Sequence, residues 1–185
     1  RILSKKQAMR VLAVDLSSVR EGRVGRRDVR SILGGWLLQC RDVVDEAAQP
    51  WNDGVSNPLL RVVTKRVPSD DEWRALRFAW RVCAHAKSNA VVFARGDRTV
   101  SLGAGQMSRV DAVNIAVLKA GEKLRGTVVA SDGFFPFRDG LDAIAKAGAT
   151  AVVQPGGSKR DAEVVTAADE HDIAMVMTGR RHFWH

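Results

Sequence analysis

The spacing of apolar and polar positions changes along the chain. Short apolar runs rich in branched residues predict a strand at 11–16 ("VLAVDL") and an extended apolar segment in "RSILGGWLLQCRDVVDEA". The stretch "NPLLRVVTKRV" alternates like a half-buried strand and stops at Pro68. The first third of the chain is therefore predicted to contain strands joined by basic, glycine-containing loops.

A helix after Pro68 is the clearest local prediction. Ser69 and Glu72 have the spacing of a capping box, and a broad apolar face continues through Ala86. The following "NAVVFARGDRTVSLG" predicts a hairpin that turns at Gly96 and Asp97.

The rest of the chain alternates between helical and strand patterns. The segments are "SRVDAVNIAVLKAG" (helix), "TVVAS" (strand), "FRDGLDAIAKAGA" (helix), "TAVVQ" (strand), "KRDAEVVTAADEH" (helix) and "IAMVMT" (strand). Alternation at this spacing predicts an α/β fold whose strands pair in parallel through right-handed crossovers.

Composition narrows the class of protein. A chain of 185 residues that is 45% hydrophobic can bury a core, and 29 Lys and Arg against 21 Asp and Glu favour anionic partners such as nucleic acid, acidic lipid or nucleotides. Cys40 and Cys83 are two lone thiols without metal-site spacing. No apolar run approaches the roughly 18 residues of a membrane span. We therefore expect a soluble, cytoplasmic protein with no metal and no membrane partner.

Four loops collect glycine or proline with polar side chains where predicted strands end: "KSN", "GAGQMSR", "SDGFFPFRD" and "QPGGSKRD". Binding groups in open α/β sheets gather at such loops. In "GAGQMSR", backbone N–H groups at a helix start and Arg109 could capture an anion, or the loop could be a plain glycine turn. In "PGGSKR", Lys159 could serve an anion nest, although a flexible surface loop is the simpler interpretation.

Three of the six phenylalanines stand in "SDGFFPFRDG". Burial of each ring would contribute roughly 2–3 kcal/mol to stability, so we expect the loop to pack its rings against another surface. The simpler hypothesis is that the rings plug the end of the sheet. The alternative is that one ring stacks on a flat heterocyclic ligand while Asp139 hydrogen-bonds to the polar edge of that ligand.

Longer ordered motifs carry a family resemblance. The segments "KSNAVVFARGDRTVSLGAGQMSRVDA", "SDGFFPFRDGLDAIAKAGATAVVQPGGSKRDAEVV" and the terminal "RHFWH" closely resemble the bifunctional AICAR transformylase/IMP cyclohydrolase family. Shorter matches at "ILSKK", "GGWLLQ" and "VVTKR" extend the resemblance over the chain. It implies a cytidine deaminase-like layered α/β/α sheet from the C-terminal part of the transformylase domain. Residues 1–67 would end the first subdomain and form a connection, and residues 68–185 would form the C-terminal subdomain.

The resemblance also implies the chemistry. The family transfers a formyl group from 10-formyltetrahydrofolate to the exocyclic amine of AICAR in purine (IMP) biosynthesis, and it uses no metal. The amine is a poor nucleophile, so transfer needs a base and a group that stabilises the formyl oxyanion. The family's main catalytic Lys-His pair would precede Arg1. We therefore expect this chain alone to lack useful formyl transfer and to have no cyclohydrolase activity.

Site residues follow from the matching motifs. The nucleotide side of the implied site is formed by Asn89, which would also support catalysis, and by Arg109, Phe134 and Arg181. The folate side is formed by Val110, Asp139, Ser158 and Lys159. Phe135 and Phe137 are expected to fill the core.

The family's homodimeric assembly, with sites built across the subunit interface, is the expected partner arrangement. Trp36, Trp51 and Trp184 are candidates for the apolar surface that it needs. We also expect the C-terminal tail, residues 181–185, to be docked through burial of Phe183 and Trp184 and to hold Arg181 against the nucleotide site. One alternative is a nucleic-acid-binding α/β module, suggested by "REGRVGRRDVR". Such a module needs none of "FFPFRD", "GAGQMSR" and "RHFWH", so we expect no nucleic-acid partner. The other alternative is a non-catalytic chain that only binds nucleotide or a partner chain.

Overall fold

The computed structural model describes residues 13, 15, 17, 27–48, 50, 51 and 57–185. The chain divides into two compact units, Arg1–Val43 and Val44–His185. The strand predicted at 11–16 falls largely outside the described residues.

The described part of the first unit is an antiparallel hairpin. Strand β1 (Arg27–Ile32) pairs with β2 (Gly35–Cys40), and Ile32 lies opposite Gly35. Gly34 turns the chain with a φ of 75°, a conformation that favours glycine. The apolar segment predicted here therefore forms two strands, and Trp36 on β2 is 75% exposed.

A six-stranded sheet forms the centre of the second unit, in the order β3-β8-β7-β6-β4-β5. Its strands are β3 (Arg61–Val62), β4 (Val91–Arg95), β5 (Arg98–Gly103), β6 (Val128–Ser131), β7 (Ala151–Gln154) and β8 (Ala174–Met177). The predicted parallel pairing is confirmed for β6, β7 and β8. The predicted hairpin of β4 and β5 is confirmed, and β4 also pairs antiparallel with β6, as β3 does with β8. The hairpin forms because the chain turns tightly at Gly96 and Asp97, and a turn this short joins antiparallel strands.

Helices cover both faces of this sheet. They are α1 (Asp70–Cys83), α2 (Arg109–Ala120), α3 (Asp139–Lys146) and α4 (Asp161–Glu170). Trp73, Leu76 and Trp80 of α1 join one buried apolar cluster, whereas α2, α3 and α4 contribute to the other. Successive strand residues point to opposite faces, so Val92 belongs to the first cluster and Val91 to the second. The predicted layered α/β/α fold is confirmed.

Residues that precede Pro68 belong to the core of the second unit. Trp51 and Leu60 are buried in the cluster beneath α1, and a single 3₁₀ turn, Asp45–Ala47, places Glu46 there. The two compact units therefore divide at 43/44, whereas the boundary at 67/68 stays a prediction about the subdomains of the parent enzyme. Trp51 is buried in the core, so it is not an exposed candidate for a subunit interface.

None of the helices within the described residues is both long and apolar enough to span a membrane.

The capping box predicted at the start of α1 is confirmed. Ser69 Oγ accepts from the Glu72 N–H at 3.3 Å, and Glu72 Oε2 accepts from the Ser69 N–H at 2.8 Å. The same carboxylate accepts from Arg66 Nη2 at 2.8 Å and from Thr150 Oγ1 at 2.5 Å. Glu72 therefore ties the helix start to the segment before it and to the start of β7.

Glu72→Gln should lower the free energy of unfolding by about 2 kcal/mol at pH 7, because it weakens a cap and a charge-assisted hydrogen bond. Burial alone would raise the pKa of Glu72, but hydrogen bonds from Arg66, Thr150 and Ser69 hold it below its usual 4.5. A lowered folded-state pKa stabilises the protein above pH 4.5, and this contribution is lost as the pH falls further. Denaturant unfolding from pH 7 to 3 should show the difference shrinking below pH 4.5. Glu122→Gln is the control, because the Glu122 side chain is 85% exposed and its loss should change the free energy of unfolding little. A destabilisation by Glu72→Gln that stays the same at every pH would contradict the account.

Candidate functional site

Several loops meet at one edge of the six-stranded sheet. Strand β4 runs antiparallel to its neighbours, with Val91 opposite both Gly103 and Ser131. The loop before β4 is therefore at the same edge as the carboxyl ends of β5 and β6. Strands β7 and β8 run parallel to β6, so their carboxyl ends point to this edge as well. The pairing thus explains why "KSN", which precedes its strand, joins loops that follow theirs.

Arg109 is at the centre of a buried polar cluster at this edge. It lies in the first turn of α2, is only 7% exposed, and forms an ion pair with the fully buried Asp132. Its guanidinium also donates to the Ala90 carbonyl at 2.9 Å and to Asn89 Oδ1 at 2.9 Å. Asp132 in turn accepts from Ser88 Oγ at 2.5 Å and from the Ala90 N–H at 3.1 Å. Since a buried charge is costly unless it is paired, these bonds fix the guanidinium in one position.

Gly133 makes room for this arrangement. A Cβ built at position 133 would lie 2.5 Å from Arg109 Nη2 and 3.1 Å from Phe183 Cε1. The guanidinium is held by several bonds and cannot move aside freely. The glycine of "SDG" is therefore required by the close approach of Arg109 and the tail.

Asn89 connects two of the loops. Its side-chain Nδ2 donates to the carbonyls of Gln106, at 2.9 Å, and Met107, at 3.3 Å. The peptide bond between Ser88 and Asn89 is cis. The structure therefore brings Asn89 and Arg109, both predicted on the nucleotide side, into direct contact. The guanidinium faces Asp132 rather than solvent, so the anion that it meets in this structure is a side chain of the protein.

The aromatic loop splits its three rings between different environments. Phe134 is half-buried, and the guanidinium of Arg181 lies 5.3 Å from the centre of its ring. Phe135 is buried in the core, as predicted. Phe137 is 47% exposed and lies under Arg160 at 4.8 Å, so the prediction that it fills the core is wrong. Helix α3 begins two residues later, and Phe137 remains on the surface where Arg160 covers one ring face.

The tail is docked on this cluster, but by different residues from those predicted. Phe183 and Trp184 are 47% and 42% exposed, whereas His182 is buried. The His182 N–H donates to the Asp132 carbonyl at 3.1 Å, and its Nε2 lies 2.6 Å from Glu46 Oε1. Trp184 exchanges two hydrogen bonds with Ser88, through its N–H to Ser88 Oγ and its carbonyl to the Ser88 N–H. A buried imidazole and backbone hydrogen bonds therefore hold the tail, and Arg181 is held beside Phe134.

The four folate-side candidates are not gathered in the same way. Val110 follows Arg109 and is half-buried, and the exposed Asp139 accepts from the Gly140 N–H at 2.7 Å at the start of α3. Asp161 accepts from the N–H groups of Gly157 and Ser158 at 2.7 and 3.1 Å, so its carboxylate occupies the anion nest considered for this loop. Lys159 is exposed. Among the described residues, no hydrogen bond links these candidates to one another.

The thiol of Cys83 lies beside this cluster. Cys83 Sγ lies 3.5 Å from the carbonyls of Ala90 and Ala130. Complete burial, followed by the charge of Asp132, raises the pKa of this thiol, which is therefore a protonated donor. Within the ranges that the structure describes, no group of three His, Cys, Asp or Glu side chains could hold a metal ion.

A cavity of about 460 Å³ lies along α1 and shares no lining residue with the cluster, although Trp51 in its lining donates to the Glu46 carbonyl. Its lining includes Trp51, Phe78, Arg74, Arg77, Arg81 and His85. Arg77 already donates to the carbonyls of Ala47 and Ala48, and Arg74 pairs with Asp71. We favour the loop cluster because its charged groups are buried and converge.

Sequence reasoning missed four residues of the cluster: Ser88, Asp132, Glu46 and His182. Asp132 had a usable signal, since it is an acidic residue directly after a buried strand, at the carboxyl end where polar groups gather. Glu46 and His182 had none, because they are 136 positions apart and meet only in the folded chain.

Comparison with known proteins agrees with the motifs. The model of the AICARFT/IMPCHase bienzyme family matches residues 1–119, which include Asn89 and Arg109. The bifunctional purine biosynthesis protein PurH of Myxococcus xanthus (strain DK1622) is 52% identical over 186 residues, covering 100% of this chain and 34% of the relative. PurH of Anaeromyxobacter sp. (strain K) is 54% identical over 159 residues, covering 86% of this chain and 29% of the relative.

The chain thus spans about a third of the length of the curated relatives that it matches, in their C-terminal part. Among solved structures, Acinetobacter baumannii RibD, form 2, is 18% identical with a TM-score of 0.38, over 56% of this chain and 33% of that one. That similarity is too low to bear on the fold or the site. The family match and the two relatives carry the assignment: the chain belongs to the AICARFT/IMPCHase bienzyme family.

Proposed function

We propose that this chain supplies the C-terminal part of an AICAR transformylase, which transfers the formyl group of 10-formyltetrahydrofolate to the AICAR amine in purine (IMP) biosynthesis. The observation that carries the proposal is the buried Arg109, bonded to Asn89 and Asp132 at the edge where the loops meet. Both Asn89 and Arg109 lie in the region that the family model matches. The parent enzyme would also carry IMP cyclohydrolase activity.

On the nucleotide side, Phe134 and Arg181 supply an aromatic face and a cation. A phosphorylated heterocycle needs both, one for its ring and one for its charge. The two side chains are already adjacent, with Arg181 exposed and therefore accessible to a phosphate. In the proposed site, Asn89 and Arg109 fix the backbone against which the AICAR base is placed.

The residues of this chain would contribute mainly orientation. The AICAR amine attacks only when its proton can leave and the formyl oxygen is stabilised as charge develops on it. Asn89 is held by Arg109 and by the carbonyls of Gln106 and Met107, so its amide has one fixed direction. A fixed amide dipole near the reacting atoms costs little reorganisation in the transition state.

On the folate side, we propose Val110, Asp139, Ser158 and Lys159. Asp139 is an exposed carboxylate that could accept from a pterin ring, and Lys159 is an exposed cation suited to the carboxylates of the glutamate tail. The net charge of +8 would attract both anionic ligands. The cosubstrate supplies the formyl group itself.

A cytoplasmic homodimer is the assembly that we propose for the parent enzyme. Support comes from the described hairpin, where Trp36 and Leu38 are exposed large apolar side chains. Apolar surface of this kind is typical of residues that are covered in an assembly.

The function is tested with the full-length enzyme that carries this sequence. With AICAR and 10-formyltetrahydrofolate, it should release tetrahydrofolate at a rate that depends on both substrates. Omitting AICAR is the control and should abolish release. If there is no AICAR-dependent turnover, and a salt-sensitive affinity for duplex DNA appears instead, the chain is a nucleic-acid-binding module and the proposal fails.

A further inference from the structure

Glu46 is buried in the core although it is charged. It is 1% exposed, and its Oε1 accepts from Trp80 Nε1 at 2.5 Å and from His182 Nε2 at 2.6 Å. Its backbone carbonyl accepts from Trp51 Nε1 at 2.8 Å and from Asn57 Nδ2 at 2.9 Å. Burial alone would raise the pKa of Glu46, but hydrogen bonds from His182 and Trp80 hold it below its usual 4.5. The carboxylate is therefore ionised at neutral pH and can only accept, so His182 donates from Nε2.

A carboxylate in such a place is not explained by stability alone. Replacing a buried ion pair by well-packed apolar side chains of similar volume is often neutral or stabilising. What the charged pair adds is direction, because a hydrogen bond fixes the orientation of the imidazole, which an apolar contact does not. The ring of His182 also packs edge-on against Trp80, with centroids 5.3 Å apart.

Fixing His182 fixes the residues on both sides of it. Its own N–H bonds the Asp132 carbonyl, directly beside the ion pair between Asp132 and Arg109. The preceding Arg181 lies over Phe134, and Trp184 bonds Ser88, whose hydroxyl donates to Asp132. The path from Glu46 to the nucleotide-side cluster is therefore one continuous set of contacts.

We propose that Glu46 is a positioning residue of the proposed transformylase: through His182 it sets where the tail presents Arg181 to the AICAR phosphate. This inference rests on the proposed function. Glu46 touches neither ligand; it acts on the reaction only through the tail. Small misplacements of a binding group can cost on the order of 100-fold in rate, so a distant carboxylate can matter to catalysis.

The test uses three variants of the full-length enzyme. Glu46→Gln keeps the volume but removes the charge. The double variant Glu46→Met with His182→Leu replaces the pair by apolar side chains and keeps the core filled. Asp142→Asn is the matched control, because the partly exposed Asp142 forms a carboxylate–imidazole pair with His171 at 2.8 Å and pairs with Arg138 at 2.9 Å rather than with a tail residue.

The first two variants should raise KM for AICAR about tenfold or more while KM for the folate changes less than about twofold. Cyclohydrolase activity, which is not expected of this chain, should be unchanged, and Asp142→Asn should behave like the unsubstituted enzyme. Circular dichroism of each variant reports whether this part of the parent remains folded. Adding Glu46→Gln to Arg181→Ala should cost nothing further, because both changes remove the same interaction. Additive losses, or an unchanged AICAR KM in the apolar double variant, would overturn the proposal.

A second readout separates this inference from the proposed function. Amide hydrogen exchange should rise in residues 178–185 of Glu46→Gln, while α1 and β6 keep their protection. If the unsubstituted enzyme lacks formyl transfer, the proposed function fails whatever the exchange shows. If transfer is normal and the tail of Glu46→Gln stays protected, the positioning role alone fails.

Discussion

Replacing Arg109 by alanine should lower kcat/KM for AICAR by about 100-fold or more in the full-length enzyme, the loss typical of removing a fixed charged group from a site. The change removes the bonds to Asn89 and to the Ala90 carbonyl, and it leaves Asp132 buried without its cation. An unpaired buried charge costs about 3–5 kcal/mol of stability, so the variant should also unfold more readily.

Arg109→Lys separates the effect on the site from the effect on folding. Lysine keeps the charge beside Asp132 but lacks the planar fork that holds Asn89 and the Ala90 carbonyl together. It should fold and still lose most AICAR affinity in a binding titration. Arg125→Ala is the control, because Arg125 pairs with Glu122 on the surface and should leave AICAR affinity unchanged. Normal AICAR affinity in Arg109→Lys would show that the guanidinium has no role in the site.

Deleting residues 181–185 should abolish formyl transfer and leave cyclohydrolase activity intact. The deletion removes the cation beside Phe134 and the hydrogen bonds from the tail to Ser88 and Asp132. Both activities are measured on the same preparation, and circular dichroism of the truncated enzyme reports whether the part that carries this chain remains folded.

Arg181→Ala distinguishes the cation from the rest of the tail. Because His182 still docks in this variant, only the interaction with the phosphate should be lost, and KM for AICAR should rise by about 10- to 100-fold for a lost charge-assisted hydrogen bond. A truncated enzyme with normal formyl transfer would mean that neither the tail nor Arg181 belongs to the site.

Local chemistry accounts for what the sequence could predict. The capping box at Ser69 and Glu72 and the turn at Gly96 and Asp97 depend on residues a few positions apart, and both are present as predicted. The alternating helices and strands of the second half could also be predicted, because the spacing of apolar residues differs between helical and strand segments. The layers of the fold follow from that alternation.

Long-range pairing accounts for what the sequence could not predict. The direction of β4 relative to β6 depends on where the hairpin docks, and this direction decides which loops meet at the site. Phe137 was predicted to fill the core and is exposed, whereas Trp51 was predicted for an interface surface and is buried; only the packed structure separates the two rings. The contact between Glu46 and His182 has no local signal at all, although it determines how the tail docks.

The family motifs supplied the candidate residues, and the structure supplied the connections between them. Asn89 and Arg109 were named from separate motifs and prove to be hydrogen-bonded to each other. Phe134 and Arg181, also from separate motifs, are in contact. The folate-side residues differ, because no hydrogen bond joins them to one another in the described part of the chain.

The central claim is that AICAR binds at the sheet edge formed by Asn89, Arg109, Phe134 and Arg181. The most direct measurement is a crystal structure of the full-length enzyme with AICAR bound. The account predicts the heterocycle within about 4 Å of the Phe134 ring, the contact distance of packed groups, and the phosphate within hydrogen-bond distance of Arg181. AICAR bound with neither of these side chains within contact distance would contradict the account.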